Sequence, residues 1–256
     1  MNKRDMTFEH MVDVAEACQA CENLQSVHAI LHAAGQTEEE IDTMWSRRED
    51  CWWSHNFGGM NSRQAVIRGW ANGLANNSKF WYSLLVKTYP EVEGMDPRPL
   101  MECAVHMLAS SIIEVAEDGQ SCRCSWYTPG VLFSTLNWDG KKDGIWIWER
   151  YGNDFVKEGD AWKIWHIVEA NDIVSEAGTA YGDGPVYLDY ETDPVAVEFG
   201  TPTIPMITHD ATFNWWDNYP APPTPYDTWS DEISYGPEGY PEKTEYHFGA
   251  GEGGNY

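Results

Sequence analysis

From Met11 to Ala34 apolar positions recur at mixed three- and four-residue spacings, with Val14, Cys18, Cys21, Leu24, Val27, His28 and Leu31 in phase and Gly35 as a stop. That period predicts an amphipathic helix. Thr37-Glu38-Glu39-Glu40 then offers a capping box for a short second helix reaching about Trp45, and Asn61 to Leu85 supplies one or two more. Beyond Pro99 the period shortens. Met101 to Ala116, Ser121 to Leu136, Gly144 to Lys157 and Trp162 to Val174 are rich in β-branched and aromatic residues, and the stretches 117–119, 139–144 and 158–160 carry Gly/Asp turn signals between them. Helices first and antiparallel hairpins after predict an α+β fold.

Composition then changes near Gly178. From there to Tyr256 the chain of 256 residues holds 10 of its 14 prolines, 10 of its 22 glycines and 14 acidic residues against one basic residue, Lys243. Clusters such as 219–226 cannot sustain a helix or a central strand, because proline lacks the N–H and restricts its predecessor. Yet Phe213, Trp215, Trp216, Tyr219, Tyr226, Trp229 and Tyr235 are costly to leave in water. Two units are therefore expected: an α+β barrel-like body at 1–177, and at 178–256 a long C-terminal arm packed on that body or on a neighbouring subunit.

The formal net charge of −25 argues against nucleic acid and anionic membrane surfaces as partners, since each phosphate contact needs a Lys or Arg. No apolar run reaches the roughly 18 residues of a membrane span, and the N-terminal stretch lacks the apolar core of a secretory signal. A cytoplasmic protein is expected, with its six cysteines as thiols. Cys18-x-x-Cys21 and Cys122-x-Cys124 have chelating spacings, but the strand pair is read as pointing to opposite faces, which leaves buried thiols.

The candidate chemistry is histidine. His28 and His32, four apart on the long helix, share a face; His106 sits in an apolar strand, and His166 alternates with Ile164 and Val168. If that last face packs under the helices, all four imidazoles converge inside. A buried imidazole needs a partner, a ligand or a catalytic task. With an ordinary pKa near 6.5, imidazole can take and give protons at neutral pH. Tyr127 could donate to a leaving oxygen or an oxyanion, Asp172 could orient a histidine, and Trp52, Trp53, Trp81 and Trp126 could shape the walls for an aromatic substrate.

Several stretches carry a family resemblance: 22–29, 114–119, 126–130 and above all Arg150-Tyr151-Gly152-Asn153-Asp154-Phe155-Val156-Lys157-Glu158-Gly159-Asp160-Ala161-Trp162-Lys163-Ile164. From about Cys21 to Ile173 the chain resembles the SnoaL-like proteins of the nuclear transport factor 2-like superfamily. The resemblance implies a cone, in which a strongly curved antiparallel sheet wraps around the N-terminal helices, and an apolar pocket worked by a His or Asp base without cofactor or metal. Ala33-Ala34-Gly35 stand where many such enzymes carry a carboxylate, with His32 the nearest substitute. The expected function is a lyase, a dehydratase or a formaldehyde-eliminating enzyme, acting on a hydrophobic aromatic or polycyclic small molecule such as a lignin-derived diaryl compound. An isomerase is the near variant, and a homo-oligomer, dimer or trimer, is expected. The alternatives are a noncatalytic binding or assembly module of the same fold and a metal-dependent enzyme using the same histidines.

Overall fold

A computed structural model of the chain describes residues 6–55, 58–96, 102–134, 144–176 and 220–237. The order is helices, then sheet. α1 (Phe8–Ala33) starts on a Thr7 side chain that accepts from the His10 N–H, and α2 (Thr37–Thr43) follows. The expected capping box does not form: α2 is preceded by Gln36, without a side-chain cap, and Glu40 is fully buried instead. α3 (Arg63–Val66) runs through a π-helical segment, Ile67–Gly73, into α4 (Leu74–Thr88).

Seven strands form one curled sheet in the order β2-β1-β7-β6-β5-β3, with β4 on the same edge of β5 as β3. β1 (Trp52–His55) and β2 (Gly58–Asn61) make a hairpin that sequence periodicity did not flag. β1 joins β7 in parallel, so the sheet is mixed rather than purely antiparallel. The stretch 101–116 is two strands, β3 (Glu102–His106) and β4 (Ala109–Val115), which pair with successive parts of β5 (Ser121–Ser134). β6 (Gly144–Glu158) and β7 (Ala161–Glu176) are long and antiparallel. Gly159 takes φ +63° in their two-residue turn, where only glycine sits without strain.

The concave face of this sheet packs on α1 and on the π segment. Its core holds Trp45, Trp53, Trp70, Trp126, Phe155, Ile164 and Ile167. Among the described residues no helix is long and apolar enough to cross a membrane.

On the convex face lies the segment 220–237. The backbone N–H groups of Glu117 and Asp118 donate to the carbonyls of Tyr226 and Asp227, and Trp229 packs on Trp165 with ring centroids 4.3 Å apart. Tyr235 is buried beside Trp52 and Val168, with the Arg123 guanidinium 4.4 Å from its ring. The remainder of 178–256, including Phe213, Trp215, Trp216 and Tyr219, lies outside the described residues.

The segment fits because Gly152 has no side chain. A Cβ there would lie 2.6 Å from Pro220 and 2.8 Å from Tyr235. Gly152→Ala is therefore expected to lift this segment at a cost of about 1–3 kcal/mol, read as a lower denaturation midpoint and faster proteolysis within 220–237. Unchanged values in both measurements would contradict this packing.

Candidate active site inside the cone

The inward face of α1 is unusually polar. Ala17, Cys21, Gln25 and His28 are its buried residues, at helical spacing. Asn153 Nδ2 donates to Gln25 Oε1, tying the helix to β6. One turn further on, His28 Nδ1 lies 2.7 Å from Glu40 Oε1, which also accepts from Trp45 Nε1 at 3.0 Å. In the tautomer whose Nδ1–H donates to the Glu40 carboxylate, Nε2 carries the ring's lone pair. Among the described residues that buried Nε2 has no hydrogen-bond partner. An unmet buried polar atom costs about 1–3 kcal/mol, which is the reason to look for a task there.

The π segment places Trp70 against both helix histidines, with centroids 5.3 Å from His28 and 4.9 Å from His32. His32 stands 6.2 Å from His28 and 5.6 Å from His106. His106, on the inner side of β3, has Nδ1 3.2 Å from Glu149 Oε2, and Thr128 Oγ1 lies 3.4 Å from the same carboxylate oxygen. Three histidines expected from sequence thus come together. Glu149 and Tyr151 line the same face of β6, and Tyr151 meets His28 edge-on at 6.0 Å. Glu169, inward on β7, stands beside Tyr151 and Trp53.

Electrostatics divides these groups by role. Burial opposes protonation of His106, but the Glu149 charge and hydrogen bond outweigh it and raise the imidazole above its ordinary 6.5. Burial pushes the Glu169 carboxyl well above its usual range, and the neighbouring Glu149 charge adds to the effect. Both shifts have the same linkage sign. A folded-state pKa raised above its unfolded value gives stability that is complete below the unfolded value and lost as pH rises through the folded one. Stability should therefore decline with rising pH, beginning above about 4.5 for Glu169 and 6.5 for His106. Denaturant melts across pH should show a flatter profile for Glu169→Gln and His106→Gln; an identical profile would refute the assignment.

His166 does not join the cluster. Pairing Phe155 with Ile164 but Asp154 with His166 leaves Trp165 as an extra residue, a β-bulge. The bulge shifts the alternation by one, so Ile164 faces the interior while His166 and Val168 face out. There His166 Nδ1 meets Asp154 Oδ2 at 2.8 Å, and Nε2 meets the Asp50 carbonyl at 3.1 Å. Asp154 Oδ2 also accepts from Trp229 Nε1, Ser234 Oγ and the Tyr235 N–H at 3.3, 3.1 and 2.8 Å. His166 thus belongs to the anchorage of the C-terminal segment.

Tyr127 is likewise on the convex face, 45% exposed, because odd positions of β5 point outward. Trp52 also faces out, under Tyr235, whereas Trp53 and Trp126 wall the interior, Trp53 edge-on to Trp70 at 4.8 Å and Trp126 edge-on to Phe155 at 6.4 Å. The side chains of Trp81 and Asp172 lie outside the described residues. Among the described residues no three His, Cys, Asp or Glu side chains are arranged to hold a metal ion.

Sequence reasoning missed Glu40, Glu149, Glu169, Tyr151 and Trp70. A signal existed for two of them: Glu149 is in phase with Ile147, Tyr151 and Phe155, and Glu169 with Ile167. A carboxylate in step with an apolar strand face is a buried one.

No curated protein matches the chain. Among solved structures it is similar to a protein assigned as a scytalone dehydratase from Novosphingobium aromaticivorans DSM 12444, at 11% identity over 70% of this chain and 99% of that one, with a TM-score of 0.48. It is also similar to the hexachlorocyclohexane dehydrochlorinase LinA-type3 from Novosphingobium barchaimii LL02, at 11% identity over 68% and 99% of the two chains, TM-score 0.45. A third is an NTF2-like protein with a cystatin-like fold from Novosphingobium aromaticivorans, at 15% identity over 66% and 88%, TM-score 0.41. The family model for the SnoaL-like domain matches residues 13–168, more than half of the chain. With that match running across both the helices and the curled sheet, the chain belongs to the SnoaL-like domain family.

Proposed function

We propose that the protein is a cofactor-independent lyase of the dehydratase type, acting by histidine acid–base catalysis on a hydrophobic aromatic or polycyclic small molecule. The observation that carries this reading is the buried His28: its Nδ1 is held by Glu40, while its unpartnered Nε2 remains a base. Glu40 fixes the tautomer and stabilises the imidazolium that forms when Nε2 accepts the substrate proton. The counterpart proton donors are His106, whose imidazole the Glu149 charge raises against burial, and Glu169, raised by burial, with Tyr151. Groups whose surroundings drive their protonation apart are suited to removing a proton at one position and delivering one to a leaving oxygen at another. Trp53, Trp70 and Trp126 supply flat apolar surface beside them.

The test is a panel of hydroxylated aromatic and polycyclic compounds, followed for the loss of water or formaldehyde. Turnover that depends on His28 and survives dialysis against a chelator supports the lyase. Binding without turnover would favour a noncatalytic module, and activity lost on chelation and restored by a divalent cation would favour a metal enzyme.

A further inference from the structure

The register of the sheet stacks the inner side chains in layers. Tyr151 pairs with Trp126 and Glu169, and Asn153, about 6.6 Å further along the strand, pairs with Cys124 and Ile167. α1 adds one residue to each layer: His28 meets Tyr151, and Gln25, one turn earlier, meets Asn153. Apart from the two amides, the second layer is thiol and hydrocarbon. Cys122 and Cys124 both face inward, because residues two apart on a strand share a face, and the expectation that they diverge is corrected. Their sulfurs lie 3.5 Å apart and hydrogen-bond with each other.

Gln25 and Asn153 are fully buried, at 0% exposure each. One hydrogen bond joins them, from Asn153 Nδ2 to Gln25 Oε1, and it leaves Gln25 Nε2 and Asn153 Oδ1 with no hydrogen-bond partner among the described residues. Exchanging the nitrogen and oxygen of both amides reverses the bond and again leaves one N–H donor and one carbonyl acceptor over. Hydrocarbon side chains of similar size would close the same layer without leaving a polar atom unmet. The spare donor and the spare acceptor belong to one bonded pair, one turn of α1 before the base His28.

We propose that this pair is a specificity site that reads a hydroxyl group, and that the substrate of the cone is a neutral phenol or alcohol held there by a hydroxyl that does not react. The assignment rests on the lyase reading for its reacting end, at His28. A hydroxyl oxygen accepts from the free amide N–H while its proton goes to the free amide oxygen, so one group meets both. A ketone or ether oxygen accepts from the N–H and leaves the carbonyl unmet. A carboxylate sets its charge against that carbonyl, in a cone that already buries Glu40 and Glu149. Neither amide titrates, so both bind and orient while protons move at the histidines. From Gln25 to His28 the helix rises about 4.5 Å, which puts the hydroxyl read by the amides and the proton taken by the base on the same or adjoining rings.

The test compares 2-naphthol, 2-methoxynaphthalene and 2-naphthoate, which share one ring system, by isothermal titration calorimetry with the full chain at pH 7. The naphthol should bind about tenfold more tightly than either of the others, in line with the worth of two neutral hydrogen bonds. The double variant Gln25→Met/Asn153→Leu should fold at least as stably as wild type, because both partners are replaced together, and should bind naphthol and ether within about threefold of each other. His28→Gln should keep the wild-type ranking. If the double variant does not fold, the wild-type ranking alone decides. The proposal is overturned if the wild type binds the ether or the carboxylate as tightly as the naphthol, if it binds none of the three, or if the folded double variant keeps the preference. The two readings fail separately: a hydroxyl preference without turnover removes the lyase and keeps this site, and His28-dependent turnover without the preference removes this site and keeps the lyase.

Discussion

His28→Gln should lower turnover by about a hundredfold or more while leaving the helical and aromatic circular dichroism unchanged. Acid–base groups contribute about 10²–10⁴ to rate, and a hundredfold corresponds to about 2.7 kcal/mol in the barrier. Gln keeps a polar group of similar reach beside Glu40 but cannot accept and return a proton. Glu40→Gln is the companion variant: it leaves His28 in place and removes the charge that fixes its tautomer. The loss there should be smaller, because His28 is kept while the carboxylate that orients its ring is lost. His106→Gln should reduce activity by removing an acid, with its effect concentrated on the limb that reports proton delivery. A His28→Gln enzyme within threefold of wild type would remove the base from this site altogether.

Asp154→Ala should be the most damaging substitution for stability, at about 3–5 kcal/mol, the usual cost of removing one partner from a buried charge network. One carboxylate oxygen serves His166, Trp229, Ser234 and the Tyr235 N–H, and Arg123 Nε lies 3.5 Å from the other oxygen. Alanine would strand all of these donors in a place closed to water. The segment 220–237 should detach, so that Trp229 fluorescence shifts to the red and a protease cleaves between Pro220 and Pro237. Asp154→Asn should fall between alanine and wild type, because one carbonyl oxygen can still accept. A denaturation midpoint within about 1 kcal/mol of wild type would mean that the segment is held mainly by its aromatic packing. Such a result would transfer the anchoring role to Tyr235 and Trp229.

The helices and long strands were legible because each buries one continuous face. α1 ends where Gly35 takes φ +67°, and the β6–β7 turn sits at Gly159-Asp160 as its residues imply. The β1 hairpin was not legible, because Trp52 and Trp53 lie on opposite faces of a four-residue strand and give no period. Glu40 was hidden by its own neighbourhood, since three consecutive glutamates after a threonine read as a helix start. Only the third-dimension contact with His28 tells it from Glu38 and Glu39, which are exposed. The histidines of α1 and β3 were found by type and face, and no local pattern could pair them with Glu40 and Glu149, which are distant in sequence or on another strand.

The bulge at Trp165 has a bearing on how this chain is compared with its relatives. A homologue without the extra residue would align across β7 with no visible penalty, and the column holding His166 would be filled there by a side chain that points into the cone. Any role assigned to that column would pass to a residue facing the other way. Deleting Trp165 is the corresponding experiment: it would make the pairing regular, with Ile164 still inward opposite Phe155 and His166 still outward opposite Asp154. The extra residue is thus absorbed at one point of the strand, and the side chains on either side of it keep the faces that pairing with β6 gives them.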